Sequence, residues 1–253
     1  MVAQTADLPN VRRIFIPDPG YVLVEADQPR AEAQIVAAES GDKELRAIFQ
    51  GGIDVHTENA VFVFGPQPSD KYTAWYRRDR LKRCIYAIQN GGSAKKCGEL
   101  LKNDILGQKF YDYWTGRFPS IPKWHSKLEF DIKMRRCLEN VWGFKLPWLD
   151  RTDGNILGEA VPWITQSTIG ITLDHAYIAV DELGIEVLLQ VHDSLLMQVR
   201  AAELDAALPA IQSAMSIPIP YDPPLVIVPG LAVSERSWGD VVPWEANANA
   251  KTG

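Results

Sequence analysis

Apolar and polar positions follow two different rhythms along this chain. Tyr21 to Ala26, YVLVEA, is a short, dense apolar run between Gly20 and Asp27, which predicts a strand. After Pro29, AEAQIVAAES has helical composition, and proline suits a first helical turn. GDKELRAIFQ predicts a second short helix, DVHTENAVFVFG follows, and Pro66 and Pro68 then break the chain. A helix is predicted over Arg78 to Asn90, closed by Gly91 and Gly92. Helical patterns return at SAKKCGELLKN, at DILGQKFYDYWTGRF and at IPKWHSKLEFDIKMRRCLEN, where Tyr111, Trp114 and Trp124 are read as core. Val141 to Asp153, with Gly143, Pro147 and a TDG turn, reads as a hairpin or loop. A long helix is expected over Trp163 to Leu183, ending at Gly184.

The segment EVLLQVHDSLLMQV holds two apolar strands, Glu186 to Val191 and Leu195 to Val199, joined by a tight turn with His192 and Asp193 at its tip. Turns between such apolar runs normally carry Gly or Asn, so His-Asp here points to function as much as to turn chemistry. A helix, AAELDAALPAIQSAM, and a final strand, LVIVPGLAV, follow, and Trp238 and Trp244 are read as pinning the C-terminal end. The fold class these patterns predict is α+β, an antiparallel sheet packed on helices. The sequence shows no internal repeat and no low-complexity tract.

Composition narrows the picture. With 253 residues the chain can bury a sizeable core in one or two domains. No apolar run reaches the roughly 20 residues needed to cross a bilayer, and MVAQTADLPN lacks a secretory pattern. Cys84, Cys97 and Cys137 form no CxxC spacing and read as reduced thiols in a cytoplasmic setting. The net charge of −6 argues against a strong unaided grip on duplex DNA. Its distribution changes that reading locally: Lys71 to Lys96 holds eight basic residues against one acid, Asp79.

Candidate chemistry concentrates there. On a helix, Arg78, Lys82, Tyr86 and Asn90 fall on one slowly drifting stripe of two cations, an aromatic ring and an amide. A nucleoside triphosphate has the same order along its length, phosphates first and then sugar and base. Arginine offers a planar fork to phosphate oxygens, and lysine a compact charge that can also release a proton. A solvated basic face is the plain alternative. Acidic metal ligands elsewhere would decide between the two, and Asp27 at a strand end and Asp193 at a turn tip are the candidates.

Taken together, these residues resemble the polymerase core of family A (polymerase I-like) DNA polymerases, in a phage-like style, from about Val11 to Trp238. LVEADQPRAEAQIVA resembles motif A, RRDRLKRCIYAIQNGG motif B and LLQVHDS motif C; DVHT and TQST also match, in the family's order. The resemblance implies a right-hand palm, an antiparallel sheet with helices, over 1–66 and 152–253, and helical fingers over 67–151. It implies a template-directed enzyme that adds deoxynucleotides to a primer 3′ end by two-metal phosphoryl transfer. Asp27, Asp193 and the carbonyl of Gln28 would hold two Mg²⁺ ions. Arg78, Lys82 and His56 would grip the dNTP phosphates, with Lys82 also protonating the departing pyrophosphate. Tyr86 would stack near sugar and base, Glu32 would crowd the 2′ position, and Gln166 and His192 would meet the primer–template. The setting implied is the cytoplasm of a bacterial or phage-infected cell.

Several positions depart from the family's pattern. Motif A loses its closing arginine to Gln34, Asn90 stands where a tyrosine normally stacks on the template base, and Ser194 replaces an acid. Pro162 takes the place of an asparagine, and the arginine-rich string near Trp142 is thinned to WGFK. The metal ligands and phosphate cations survive, so chemistry is expected to persist while fidelity or DNA affinity suffers. Only about twenty residues precede Tyr21, so neither a thumb nor an exonuclease domain is expected within this sequence; either a second polypeptide or an oligomer would hold DNA, or the sequence is equally a piece of a longer protein. The alternative is a catalytically degenerate subunit that binds nucleic acid or nucleotide, argued by Gln28, Gln34, Asn90 and Ser194. A relative of single-subunit RNA polymerases is disfavoured by Glu32.

Overall fold

A computed structural model describes residues 10–51, 55–152 and 154–244. In chain order the elements are β1 (Tyr21–Asp27), α1 (Ala31–Glu39), α2 (Lys43–Gln50), α3 (Val55–Phe64), α4 (Lys71–Gln89), α5 (Ala94–Leu101), α6 (Asp104–Arg117) and α7 (Ser120–Arg135). They continue with β2 (Cys137–Glu139), β3 (Lys145–Pro147), α8 (Leu157–Asp181), β4 (Glu186–Val191), β5 (Ser194–Arg200) and α9 (Leu204–Met215). Four short strands follow, β6 (Pro218–Ile219), β7 (Leu225–Val226), β8 (Gly230–Ser234) and β9 (Val242–Pro243). The predicted mixture of antiparallel sheet and helices is what the chain adopts. It divides into two compact units, 1–29 with 169–253, and 30–168. No helix among the described residues is long and apolar enough to cross a membrane.

The first unit is built on a five-stranded antiparallel sheet in the order β4-β5-β1-β8-β9. Its centre is β1, whose side chains alternate between faces. Val24 and Ala26 join Leu195 and Met197 of β5 against Leu173, Ala176 and Val180 of α8 and Leu208, Ile211 and Met215 of α9. Each of the Val, Leu, Ile and Met side chains among them contributes about 1.5–3 kcal/mol. On the other face Leu23 and Leu196 pack with Trp238, and the same strand face then carries Glu25 and Asp27. Trp244 lies against the helix-side core, with its N–H on the Leu231 carbonyl at 2.8 Å, so both tryptophans hold the C-terminal segment as expected.

The second unit is helical around one core that includes Leu81, Cys84, Ile85, Phe110, Trp114 and Trp124. Trp114 and Trp124 are buried in it and Tyr111 packs on its edge, which matches the reading of these aromatics. The three cysteines are free thiols.

Several boundaries differ from the sequence reading. The helix predicted through Asn140 stops at Arg135: Arg136 turns to φ +52°, and Cys137–Glu139 pairs with Lys145–Pro147. Asn140 Oδ1 accepts the Trp142 and Phe144 N–H groups, so a local side-chain turn outcompetes helix continuation. The TDG turn includes Asp153, which lies outside the described residues, as does Asp54 of DVHT. The predicted strand LVIVPGLAV splits into Leu225–Val226 and Gly230–Ser234 in different sheets, because Pro229 between them has no N–H for a ladder. Two helices start earlier than predicted, α4 at Lys71, capped by Asp70, and α8 at Leu157, which takes Pro162 inside it. The compact units change over at Pro29/Arg30 and Thr168/Ile169, whereas the boundaries expected for palm and fingers are 66/67 and 151/152.

Candidate active site

Strand register brings the two predicted acids together. Asp27, the last residue of β1, lies opposite Ser194, and Asp193 is the residue just before it in the hairpin turn. The Gln28 N–H donates to the Asp193 carbonyl at 2.9 Å and fastens the end of β1 to that turn. The tight turn is a two-residue loop, one residue shorter than the predicted strand bounds left, since Val191 pairs with Ser194. His192 accepts φ +53° to make it, a conformation that L-residues resist and tight hairpins demand. The Ser194 hydroxyl donates to the Val191 carbonyl at 3.0 Å and serves the turn.

These residues line a cavity of about 330 Å³ with Arg12 and Glu25. Its electrostatics are dominated by acids. Asp27 opens into the cavity, yet its pKa is raised from 3.8 to about 6, first by desolvation, then by the charges of Asp193 and Glu25, then by a hydrogen bond with the Asp193 carboxyl. Arg12 opposes this rise. Glu25 Oε1 accepts from Trp238 Nε1 at 2.8 Å and from Arg12 Nη1 at 3.2 Å, while the Arg12 guanidinium lies 4.3 Å from the Trp238 ring centroid.

Sequence reasoning missed Glu25 and Arg12. The available signal was an acid two residues before Asp27 in an otherwise apolar strand, hence on the same face. Its partner Trp238 lies 213 residues further on, and no local pattern links them.

The donor set fits hard divalent cations. Two carboxylates crowded enough to retain a proton at about pH 6 release that repulsion to a cation, and Mg²⁺ characteristically takes one or two protein carboxylates plus substrate phosphates. Among the described residues no group of three or more His, Cys, Asp or Glu converges as an all-protein metal cage. The role expected of Gln28 is its backbone carbonyl's, and its side chain takes no part in it. Its side chain is 1% exposed, and neither amide atom has a hydrogen-bond partner.

The helical unit carries the other predicted residues. On α4, Leu81, Cys84, Ile85 and Ile88 face the core, while Lys82 is exposed and Tyr86 half-buried. Lys82 Nζ stands 5.8 Å from the Tyr86 ring centroid. The helix ends as its glycines predict: the Gly92 N–H reaches the Ala87 carbonyl at 2.7 Å and the Gly91 N–H the Ile88 carbonyl at 3.0 Å. Gly91 sits at φ +78°, and a Cβ there would come within 2.6 Å of the Leu157 Cβ. Asn90 is spent on this cap, with its Nδ2 on the Tyr86 carbonyl at 2.8 Å. Glu32 and Gln166 also meet, Gln166 Nε2 donating to Glu32 Oε1 at 3.4 Å. His56 is buried on α3.

Comparison with known proteins gives consistent matches. The family described as DNA polymerase family A matches residues 2–239. The thermostable DNA polymerase I of Thermus filiformis is 25% identical over 240 residues, covering 90% of this chain and 28% of that protein. The DNA polymerase of Mycobacterium phage L5 is 26% identical over 234 residues, 91% of this chain and 36% of the other. Among solved structures, the POL domain of Pol1 from M. smegmatis, in complex with DNA primer-template and dNTP, matches with a TM-score of 0.75 at 25% identity, covering 90% of this chain and 42% of that chain. The chain spans less than half the length of each of these relatives.

Proposed function

The chain belongs to DNA polymerase family A, and from that membership we propose that it adds deoxynucleotides to a primer 3′ end on a DNA template. The observation that carries this is the Asp27–Asp193 pair in its acidic cavity. Asp27, Asp193 and the Gln28 carbonyl hold two Mg²⁺ ions. Bound there, the ions supply a lowered pKa for the primer hydroxyl and neutralise charge on the leaving pyrophosphate. Phosphoryl transfer needs positioning and charge neutralisation more than covalent help, which suits this inventory.

The remaining roles follow the same reading. Arg78 and Lys82 grip the triphosphate, and Lys82 protonates the pyrophosphate as it leaves. Tyr86 stacks near sugar and base, and Asn90 follows it at the helix end. Glu32, oriented by Gln166, crowds the 2′ position; Gln166 also reaches the primer terminus, as does His192. His56 takes a further phosphate contact. The sheet unit supplies palm functions and α4 fingers functions. The DNA-holding partner expected from the sequence has no support in the comparisons and forms no part of this function.

Primer extension with dNTPs and Mg²⁺ tests the assignment. The parent chain extends a primer, and Asp27→Ala or Asp193→Ala lowers the rate by about 10³-fold or more. Either variant also loses Mn²⁺ binding measured by electron paramagnetic resonance. A variant that extended primers as well as the parent would remove the two-metal assignment. Glu32→Ala is expected to relax discrimination against ribonucleotides in the same assay.

A further inference from the structure

The first turns of α4 carry a feature that the nucleotide stripe does not use. Tyr72 and Trp75 are 60% and 58% exposed. Their ring centroids lie 6.2 Å apart, and the Tyr72 and Tyr76 rings stand 22° from parallel at 6.5 Å. Helical spacing puts all three rings on the side opposite the buried Leu81, Cys84, Ile85 and Ile88, so core packing does not account for them. Large apolar rings grouped in water are a cost that an isolated surface aromatic does not represent.

Cations are interleaved with the rings. Lys71 is exposed at the helix start. The Arg80 guanidinium lies 4.8 Å from the Tyr76 ring centroid and donates to the Leu100 carbonyl at 3.2 Å. Arg77, by the same spacing on the core-facing side, instead lies 5.4 Å from the Phe64 ring centroid and donates to the Pro66 carbonyl at 3.4 Å. The nearby acids are otherwise engaged, Asp70 capping the Thr73 N–H at 2.7 Å and Asp79 paired with Arg83 at 2.9 Å. This face is therefore positive on a chain whose net charge is −6. A protein partner would be served by the rings alone, whereas rings flanked by the Arg80 guanidinium and the Lys71 ammonium match a ligand that alternates π-faces with phosphates.

We infer that the Tyr72–Trp75–Tyr76 face of α4 is a stacking platform for single-stranded nucleic acid. Bases lie on the rings, and phosphates turn toward Lys71 and Arg80, which flank them on the helix. The inference rests on the polymerase reading for why the chain meets an unpaired strand, while the ring and cation placement stands without it.

The test is fluorescence anisotropy with a labelled oligo-dT, using the whole chain at low salt without metal or dNTP. Replacing Tyr72→Ala and Trp75→Ala together weakens binding about 10-fold or more, since each stacked base carries a substantial share of affinity. Trp75→Phe, which keeps a ring, retains most of the affinity, and Lys71→Glu weakens binding and flattens its salt dependence. Unchanged affinity in the double variant overturns the inference. So does a concentration-dependent dimer, seen by sedimentation, that the double variant dissolves without altering oligonucleotide affinity, because the face would then dock protein. A chain that binds oligo-dT through these rings but extends no primer would overturn the polymerase reading alone.

Discussion

Asp27 shows how one residue can be unfavourable to the fold and useful to the site. Its folded pKa, about 6, lies above the ordinary 3.8, so the unfolded chain releases this proton at lower pH than the folded one. The group's stabilising contribution is present below about pH 4, falls as pH rises through about 6, and stays lost above that. Burial holds the His125 pKa below its usual value, which acts in the opposite direction in a neighbouring range, so a difference measurement isolates Asp27. Thermal melts without metal should show Asp27→Asn gaining a few degrees over the parent at pH 8 and little at pH 4. Mg²⁺ should stabilise the parent, and not the variant, at pH 8. Gln28 gives a second residue-scale expectation: with its amide buried and unpartnered, Gln28→Met should raise unfolding stability by about 1–3 kcal/mol in urea denaturation.

Elements here are decided by their ends and by single close approaches. Gly91 and Gly92 mark the end of α4 in the sequence and close it with local hydrogen bonds, whereas its start at Lys71, capped by Asp70, lies seven residues ahead of the predicted Arg78. The contact of α5 with α6 has no such local sign. A Cβ on Gly107 would fall 2.3 Å from the Gly98 backbone nitrogen, so only glycine allows these helices to meet there. Gly107→Ala should therefore cost about 1–3 kcal/mol, read as a lower urea midpoint, while Gly116→Ala, with open space around it, should be neutral or stabilising. The end of α7 differs from the sequence reading for a related reason: CLEN continues a helical composition, whereas Arg136 turns left-handed and Cys137–Glu139 pairs with Lys145–Pro147 across a loop that Asn140 ties by accepting two N–H groups.

At the scale of the whole molecule, the two largest hydrophobic cores among the described residues lie one behind the five-stranded sheet and one among the helices, with a smaller cluster of Leu23, Leu196 and Trp238 on the sheet's other face. Two cores of this kind predict two unfolding transitions. Ile211→Ala, in the sheet unit, should lower one transition by about 2–5 kcal/mol and leave the other in place, followed by calorimetry. A single transition moved as a whole would show that the cores unfold together. The α+β class, the strand ending in Asp27, the His-Asp hairpin tip and the basic helix were all legible in the sequence, because periodicity, caps and turns are interactions between near neighbours in the chain. The register that sets Asp27 beside Asp193, the tie of Glu25 to Arg12 and Trp238, and the burial that leaves the Gln28 amide unpartnered were decided only by the tertiary structure. Each depends on which distant segments share a burial surface, and no short stretch of sequence encodes that choice by itself.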